Sequence, residues 1–554
     1  MSKKVVIVGG VAGGASAAAR LRRLDETAEI ILFEKGEFIS FANCGLPYFI
    51  GETIQERSKL LVTSPDMMKN RFNIDVRVFS EVIHVDTENK KVIVKSEQTG
   101  EYEEIFDDLI LSPGAKPIVP SLPGIESNKI FTLRNIPDTD RIKNVVDQNY
   151  VQKAIIVGGG YIGVEMAESL IQRGLQVTLI ESAPHILAPF DSDMVTHAEK
   201  EMQEHGIQFI FNDRIEAFLD HKEEITAIMQ SGKKLTVDIV IMAIGVVPDT
   251  AFLQNTDINL GEKGHIIVND EMQTNMKGVY AVGDAVEVKH FVHQQKTAIP
   301  LAGPANKQGR IVADQICGIP STYKGTQGTS VIKIFNLTGA STGLNERNLN
   351  QLNMPYHVVH VHPLSHAGYY PGAKPISLKL IFQDNGKILG AQAFGEEGVD
   401  KRIDVLATTI RLGGTIYDLT ELELCYAPPF SSAKDPVNMA GYVAENILTK
   451  KSDVYVIDDL MNHFDPNDMI LIDVRTEQEF KKGSIEGAIH IPVDELRERK
   501  KELPSNKKLW VYCQVGVRGH IASRILIQEG FKVKNLTGGY KSYAISEYPE
   551  RENL

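Results

Sequence analysis

Short apolar runs alternate with glycine turns along the first half of the chain. Lys4–Val8 is apolar at four successive positions, as expected of a strand buried on both faces. Gly9-Gly10-Val11-Ala12-Gly13-Gly14 follows, then an alanine-rich helix over residues 15–24. Residues 29–34 predict a second strand that closes on the acid Glu34. The same rhythm returns at Lys153–Val157, with Gly158-Gly159-Gly160-Tyr161-Ile162-Gly163, a helix over residues 164–173 stopped by Gly174, and a strand closing on Glu181. Residues 109–115 and 278–285 predict two further strands running into turns, the second carrying Asp284. From about residue 328 the pattern changes. Residues 330–335 and 378–382 alternate as antiparallel strands, and helices are expected near 401–412 and 438–449. Residues 450–453 have the composition of a linker. Beyond them a smaller α/β unit is predicted, with strands at 470–475, 488–492 and 509–512 and a helix from near His520.

The two glycine turns carry the first chemistry. A strand, a glycine turn and a helix N-terminus cradle a pyrophosphate, and an acid closing the next strand accepts from a ribose hydroxyl. The second turn fits G-x-G-x-x-G in full, while the first has Val11 at the middle glycine position. Two such units point to two dinucleotides on an α/β chain. Asp284 suits a flavin's ribityl or pyrophosphate group.

The 554 residues exceed one hydrophobic core and predict three or four domains. A net charge of −13 argues against nucleic acid as a partner. The first residues lead straight into a strand, with no signal peptide and no span for a membrane, so a cytoplasmic protein with reduced thiols is expected. The four cysteines, Cys44, Cys317, Cys425 and Cys513, are far apart and resemble neither a disulfide framework nor a metal site.

Two of these thiols stand in reactive settings. Cys44 lies in Ser40-Phe41-Ala42-Asn43-Cys44-Gly45 with no second cysteine nearby, so a partner sulfur must come from elsewhere. To act, it needs surroundings that lower its pKa or hold a charge-accepting neighbour close. Its loop is expected to be recessed. Cys513 opens the loop Cys513-Gln514-Val515-Gly516-Val517-Arg518, where N–H groups and Arg518 would favour a thiolate or a persulfide anion.

By these motifs, together with Tyr280-Ala281-Val282-Gly283-Asp284 and Tyr426-Ala427-Pro428-Pro429, the first 450 residues or so resemble the pyridine nucleotide–disulfide oxidoreductases with one active-site cysteine. Within these they are similar to the coenzyme A disulfide reductases. The last 100 or so resemble a rhodanese domain, through Asp473-Val474-Arg475 and the Cys513 loop. The resemblance implies two Rossmann-like dinucleotide-binding domains, an α+β dimerisation domain and a C-terminal rhodanese-like α/β domain. Their expected bounds are 1–117 with 250–327 for FAD, 118–249 for NAD(P)H, 328–449 for dimerisation and 453–554 for the last.

The resemblance further implies FAD, a reduced nicotinamide and coenzyme A, with Cys44 cycling through a mixed disulfide. Glu181, followed by Ser182, Ala183 and Pro184, favours NADH over NADPH, which stays possible. The implied cofactor-binding set is Gly9, Val11, Ala12, Gly13 and Gly14 with Glu34 and Lys35; Ser112, Pro113 and Gly114; Gly158, Gly160, Tyr161, Ile162 and Gly163 with Glu181 and Gly245; and Gly283, Asp284, Leu301 and Ala302. Ser16, Arg20 and Arg23, on one face of the first helix, would meet coenzyme A, with Ser40 and Asn43 flanking its sulfur. In a homodimer, Tyr426 and either Tyr369 or Tyr370 would reach the other subunit's Cys44. Related peroxidases and oxidases carry a histidine where this chain has Ala12, which weakens peroxide as substrate. The expected activity is reduction of coenzyme A disulfide, persulfide or polysulfide, coupled to sulfane-sulfur transfer at Cys513. The alternatives are an NADH oxidase or peroxidase cycling Cys44 through sulfenic acid, and a redox-responsive binding protein.

Overall fold

Strand Lys4–Val8 lies third in a five-stranded parallel sheet, between Asp108–Leu111 and Glu29–Phe33, with Val279–Ala281 and Asp75–Arg77 at the edges. Val5, Val6 and Ile7 are fully buried, which explains the unbroken apolar run. The computed structural model describes residues 2–546. Residues 547–554 of the expected last domain, and residue 1 of the first, lie outside the described residues.

The following helix, Ala12–Leu24, starts inside the glycine turn, three residues before its predicted start. It runs beside helix Ala302–Ile316 at a separation set by glycine. A Cβ on Gly309 would fall 2.3 Å from the backbone oxygen of Gly13. A second five-stranded parallel sheet has Lys153–Val157 at its centre, flanked by Gln176–Glu181 and Ile239–Met242, with Gln208–Phe211 and Ile130–Thr132 outermost.

The chain divides into two compact units. One joins residues up to Ile186 with Gly206–Gly328; the other joins Leu187–His205 with the chain from Thr329 onward. In the second unit, an antiparallel sheet runs Ser330–Ile334, Leu337–Gly343, Ile388–Gly395, Ile376–Phe382, His357–Val361. Alternation there predicts a strand with one wet face, yet every residue of Ile376–Phe382 is buried. Helices Val399–Arg411, Pro436–Leu448 and Ser192–Glu204 all pack on this sheet. Lys379, at a polar position of the alternation, is fully buried among Asp191, Asp193 and Glu346.

The last sheet is parallel, in the order Asp453–Tyr455, Val533–Leu536, Lys508–Tyr512, Met469–Asp473, Ile489–His490. The segment expected to be a linker is pinned. The N–H groups of Lys451 and Ser452 both donate to Asn446 O, Arg524 Nη1 donates to Lys451 O, and Ser452 is buried. Among the described residues, no helix is long and apolar enough to cross a membrane.

Candidate active sites: the Cys44 cleft and the Cys513 loop

The two nucleotide turns are built alike. Gly9 has φ +95°, and a Cβ there would lie 2.0 Å from Ser112 O; Gly158 has φ +106°, with Ala243 O at 2.4 Å from such an atom. Both turns also force a helix to start against them, since a Cβ on Gly14 or Gly163 would meet Gly9 O or Gly158 O at 2.0 Å. The closing acids clamp their own turns. Glu34 accepts from the N–H of Gly10 and Gly36, both at 3.0 Å. Glu181 accepts from Gly159 at 2.7 Å and Ala183 at 2.8 Å.

The turns fit pyrophosphate groups. Helices Ala12–Leu24, Tyr161–Gln172 and Ala302–Ile316 have no acid in the first turn and no side-chain cap on Val11, Gly160 or Leu301. A helix N-terminus without a side-chain cap or an acid in its first turn suits an anion. Ser112 Oγ accepts from Gly14 N, and buried Gln308 accepts from Gly283 N at 2.7 Å. Ile118 N donates to Gly245 O, and Arg134 Nη2 meets Asp284 Oδ2 at 3.4 Å. Lys35, expected at the cofactor, spends its charge on Asp249 at 2.5 Å.

Cys44 sits in a single 3-10 turn, Asn43–Gly45, that leads into helix Leu46–Ile50. Two expectations for it are corrected. The residue is solvent-exposed, not recessed. Of the two surroundings expected for it, a lowered pKa is not met: protein crowds the sulfur on one side and pushes the thiol up, and the charges of Glu165 and Asp284 add to that desolvation. Asn43 Oδ1 is buried without a partner among the described residues, an acceptor open to a ligand donor. Sequence reasoning missed the pair behind the thiol. Tyr48 donates to Glu165 Oε1 at 3.1 Å, and burial pushes Glu165 up to about 7. No spacing rule ties a tyrosine to an acid more than 100 residues away.

Ser40 bridges this turn to a cleft. It has φ +47°, its N–H donates to Gly10 O, and its carbonyl accepts from Val62 N. The cleft has a volume of about 480 Å3 and brings together Ser16, Arg20, Arg23 and Ser40, along with the unpredicted Thr63, Arg71, Asn306 and Arg310. Ser16 Oγ donates to Asn306 Oδ1 at 2.5 Å. Arg20 is not a free phosphate fork, because its Nε donates to the buried Asp314 at 2.6 Å. Arg23, Arg71 and Arg310 supply the cleft's other guanidinium groups.

In the second unit, the Tyr369 and Tyr426 hydroxyls lie 2.8 Å apart on an exposed surface. Tyr370 instead stands edge-on to His366.

Cys513 directly follows strand Lys508–Tyr512 and is buried, with Sγ accepting from Gly516 N at 3.1 Å. Gly516, at φ +107°, caps helix Val517–Gln528, so the helix begins three residues before His520 and holds Arg518 in its first turn. Arg518 does not offer the thiol an unopposed charge. It donates to both oxygens of Glu479, at 2.7 and 2.6 Å, and holds that carboxyl down at about 2. Buried Arg475 is fixed by Asp473 and lies 3.9 Å over the Tyr540 ring.

Paired nucleotide turns, one reachable thiol beside the first of them and a separate thiol loop define a nucleotide-dependent thiol–disulfide reductase with an appended sulfur-handling module. Residues 3–309 match the Pyridine nucleotide-disulphide oxidoreductase family, residues 329–436 its dimerisation domain and residues 456–546 the Rhodanese-like domain. The chain is 40% identical over 448 residues to the coenzyme A disulfide reductase of Staphylococcus haemolyticus, covering 80% of this chain and 100% of that one. The crystal structure of reduced Bacillus anthracis CoADR-RHD superposes with a TM-score of 0.95 at 51% identity, over 99% of this chain and 98% of that one. A NAD-dependent persulfide reductase from A. fulgidus superposes at 0.91 and 35% identity, over 98% and 100%. The chain belongs to the coenzyme A disulfide reductases, a family of pyridine nucleotide–disulphide oxidoreductases, here extended by a rhodanese-like domain.

Proposed function

We propose that this chain reduces sulfur–sulfur bonds attached to coenzyme A, in the disulfide and the persulfide, with electrons from NADH. Cys44 carries the covalent intermediate and Cys513 supplies sulfane sulfur. The observation that carries this is Ser40, which lines the arginine cleft four residues before the exposed residue Cys44. Coenzyme A has phosphates at one end and a thiol on a flexible arm at the other, and that separation suits such a cleft. The Cys44 thiolate attacks one substrate sulfur, the S–S bond breaks, and a coenzyme A thiolate leaves with the bonding pair. Cys44 is then joined to the second coenzyme A by a disulfide. FAD on the first glycine turn supplies the two-electron link between reduced nicotinamide and sulfur. On reduction, the mixed disulfide releases the second thiolate and restores Cys44.

Glu181, held in its turn by Gly159 and Ala183 and followed by no arginine, supports NADH over NADPH. The dimerisation domain supports a homodimer. In it, Tyr426, with Tyr369 as its hydrogen-bonded neighbour, serves as proton donor to sulfur at the partner subunit's Cys44.

Cys44→Ser tests the reading. The variant is expected to retain FAD and its rapid reduction by NADH, and to lose coenzyme A disulfide turnover by about 100-fold or more. Turnover within tenfold of wild type would sink the covalent route.

A further inference from the structure

We propose that His360, on the antiparallel sheet of the second unit, and His362, just past the end of the same strand, are positioning residues for sulfur transfer at Cys513. The proposal rests on the role given to Cys513 above. Two glycines form a thin partition between the histidines and the thiol loop. Gly539 has φ +63°, and a Cβ there would fall 2.4 Å from Cys513 O and 2.8 Å from Val515 N. Gly538 has φ +73°, and its Cβ would fall 2.9 Å from both His360 Cβ and His362 Nε2. The loop leans on one side of the partition and the histidines on the other, with no room for either to shift alone.

Hydrogen bonds join the same parts. Helix Gly539–Ser546 begins with Tyr540 N donating to Cys513 O at 2.7 Å and Lys541 N to Gln514 O at 3.0 Å. One turn later, Ser542 Oγ meets His362 Nε2 at 2.8 Å, and His362 Nδ1 meets Ser377 Oγ at 2.9 Å. His360 N donates to Thr537 Oγ1 at 2.7 Å, just before the two glycines. The His360 ring is fixed by Asp193 Oδ2 at 2.7 Å, and Asp193 is held by the buried Lys379. The thiol loop is thus braced by a sheet outside its own domain, and the pinned connector at Lys451 and Ser452 excludes a free tether.

Positioning matters because the transfer is an in-line displacement. With thiosulfate, the Cys513 thiolate attacks the outer sulfur, the S–S bond breaks, and sulfite leaves with the bonding pair. The resulting persulfide gives its outer sulfur to cyanide as thiocyanate and returns the thiolate, with no external oxidant or reductant.

The test uses the full chain and follows thiosulfate-to-cyanide transfer. His362→Ala and Thr537→Val are each expected to lower kcat about tenfold, with KM for thiosulfate within about twofold. His362→Gln, which keeps a polar group facing Ser542, should recover kcat to within about threefold of wild type. Coenzyme A disulfide reduction should stay within about twofold in each and report folding. An unchanged kcat in both His362→Ala and Thr537→Val, or a loss that His362→Gln does not recover, would overturn the proposal. If His362→Ala yields no folded protein, Ser542→Ala removes the same bond and is judged by the same kcat. A wild type that transfers no sulfur from any donor contradicts the role of Cys513 itself. The brace is then decided by Cys513 alkylation with iodoacetamide, read by mass spectrometry. A rate at least about threefold above wild type in Thr537→Val supports it, and an equal rate refutes it.

Discussion

Cys44 has neighbours that oppose its ionisation. Glu165 is half-buried near it, takes a hydrogen bond from Tyr48, and is pushed up to about 7 from an ordinary 4.5 by desolvation. Because the folded state raises this pKa, its stabilising contribution is full below pH 4.5 and is lost as pH rises through about 7. Glu165→Gln removes that slope. Between pH 5 and 8 the variant's unfolding free energy should fall by on the order of 2–3 kcal/mol less than that of wild type, read as a smaller drop in Tm. The same change removes a negative charge beside the sulfur, so Cys44 should alkylate a few-fold faster at pH 7 in the reduced protein. An identical Tm slope and alkylation rate would place Glu165 outside the thiol's electrostatics.

At the scale of elements, the first nucleotide domain depends on two helices meeting at glycine. The atoms facing a Cβ on Gly309 are backbone, Gly13 O at 2.3 Å and Ala17 N at 3.1 Å, and cannot rotate away. Gly309→Ala should therefore cost roughly 1–3 kcal/mol and weaken FAD retention, read as the melting midpoint and the flavin absorbance after gel filtration. Unchanged values for both would mean the helices slide apart freely. Strand–turn–helix units of this kind are legible in sequence because glycines, apolar runs and closing acids lie within about 30 residues of one another. The Cys44 and Cys513 loops are legible for the same reason. What escapes is long-range. Glu479 meets Arg518 from 39 positions away, and Arg71 and Arg310 reach the cleft from opposite ends of the first domain. Lys379 carries the lesson furthest: alternation marks it as exposed, and only the three acids that two other segments bring to it explain its burial.

Across the whole molecule, the rhodanese-like domain is a covering as well as a module. A chain ending at Lys450 loses Thr537 and Ser542, the partners of His360 and His362. It should keep coenzyme A disulfide reduction, since the staphylococcal relative is matched in full by 80% of this chain. Its Tm should drop by about 3–6 °C, and calorimetry of the two chains under one buffer checks this. An equal Tm would mean that the covering contributes nothing. The contact of Gly13 with Gly309 also carries a consequence for biosynthesis. The first glycine turn emerges from the ribosome early, yet the helix that backs it and the edge strand Val279–Ala281 are made after more than 250 intervening residues. The second sheet, whose strands all lie between Ile130 and Met242, has every strand in hand by then. Synthesis from the N-terminus therefore reverses the order of the two domains. The sheet around Lys153–Val157 closes first, and the nascent chain completes the sheet around Lys4–Val8 only afterwards.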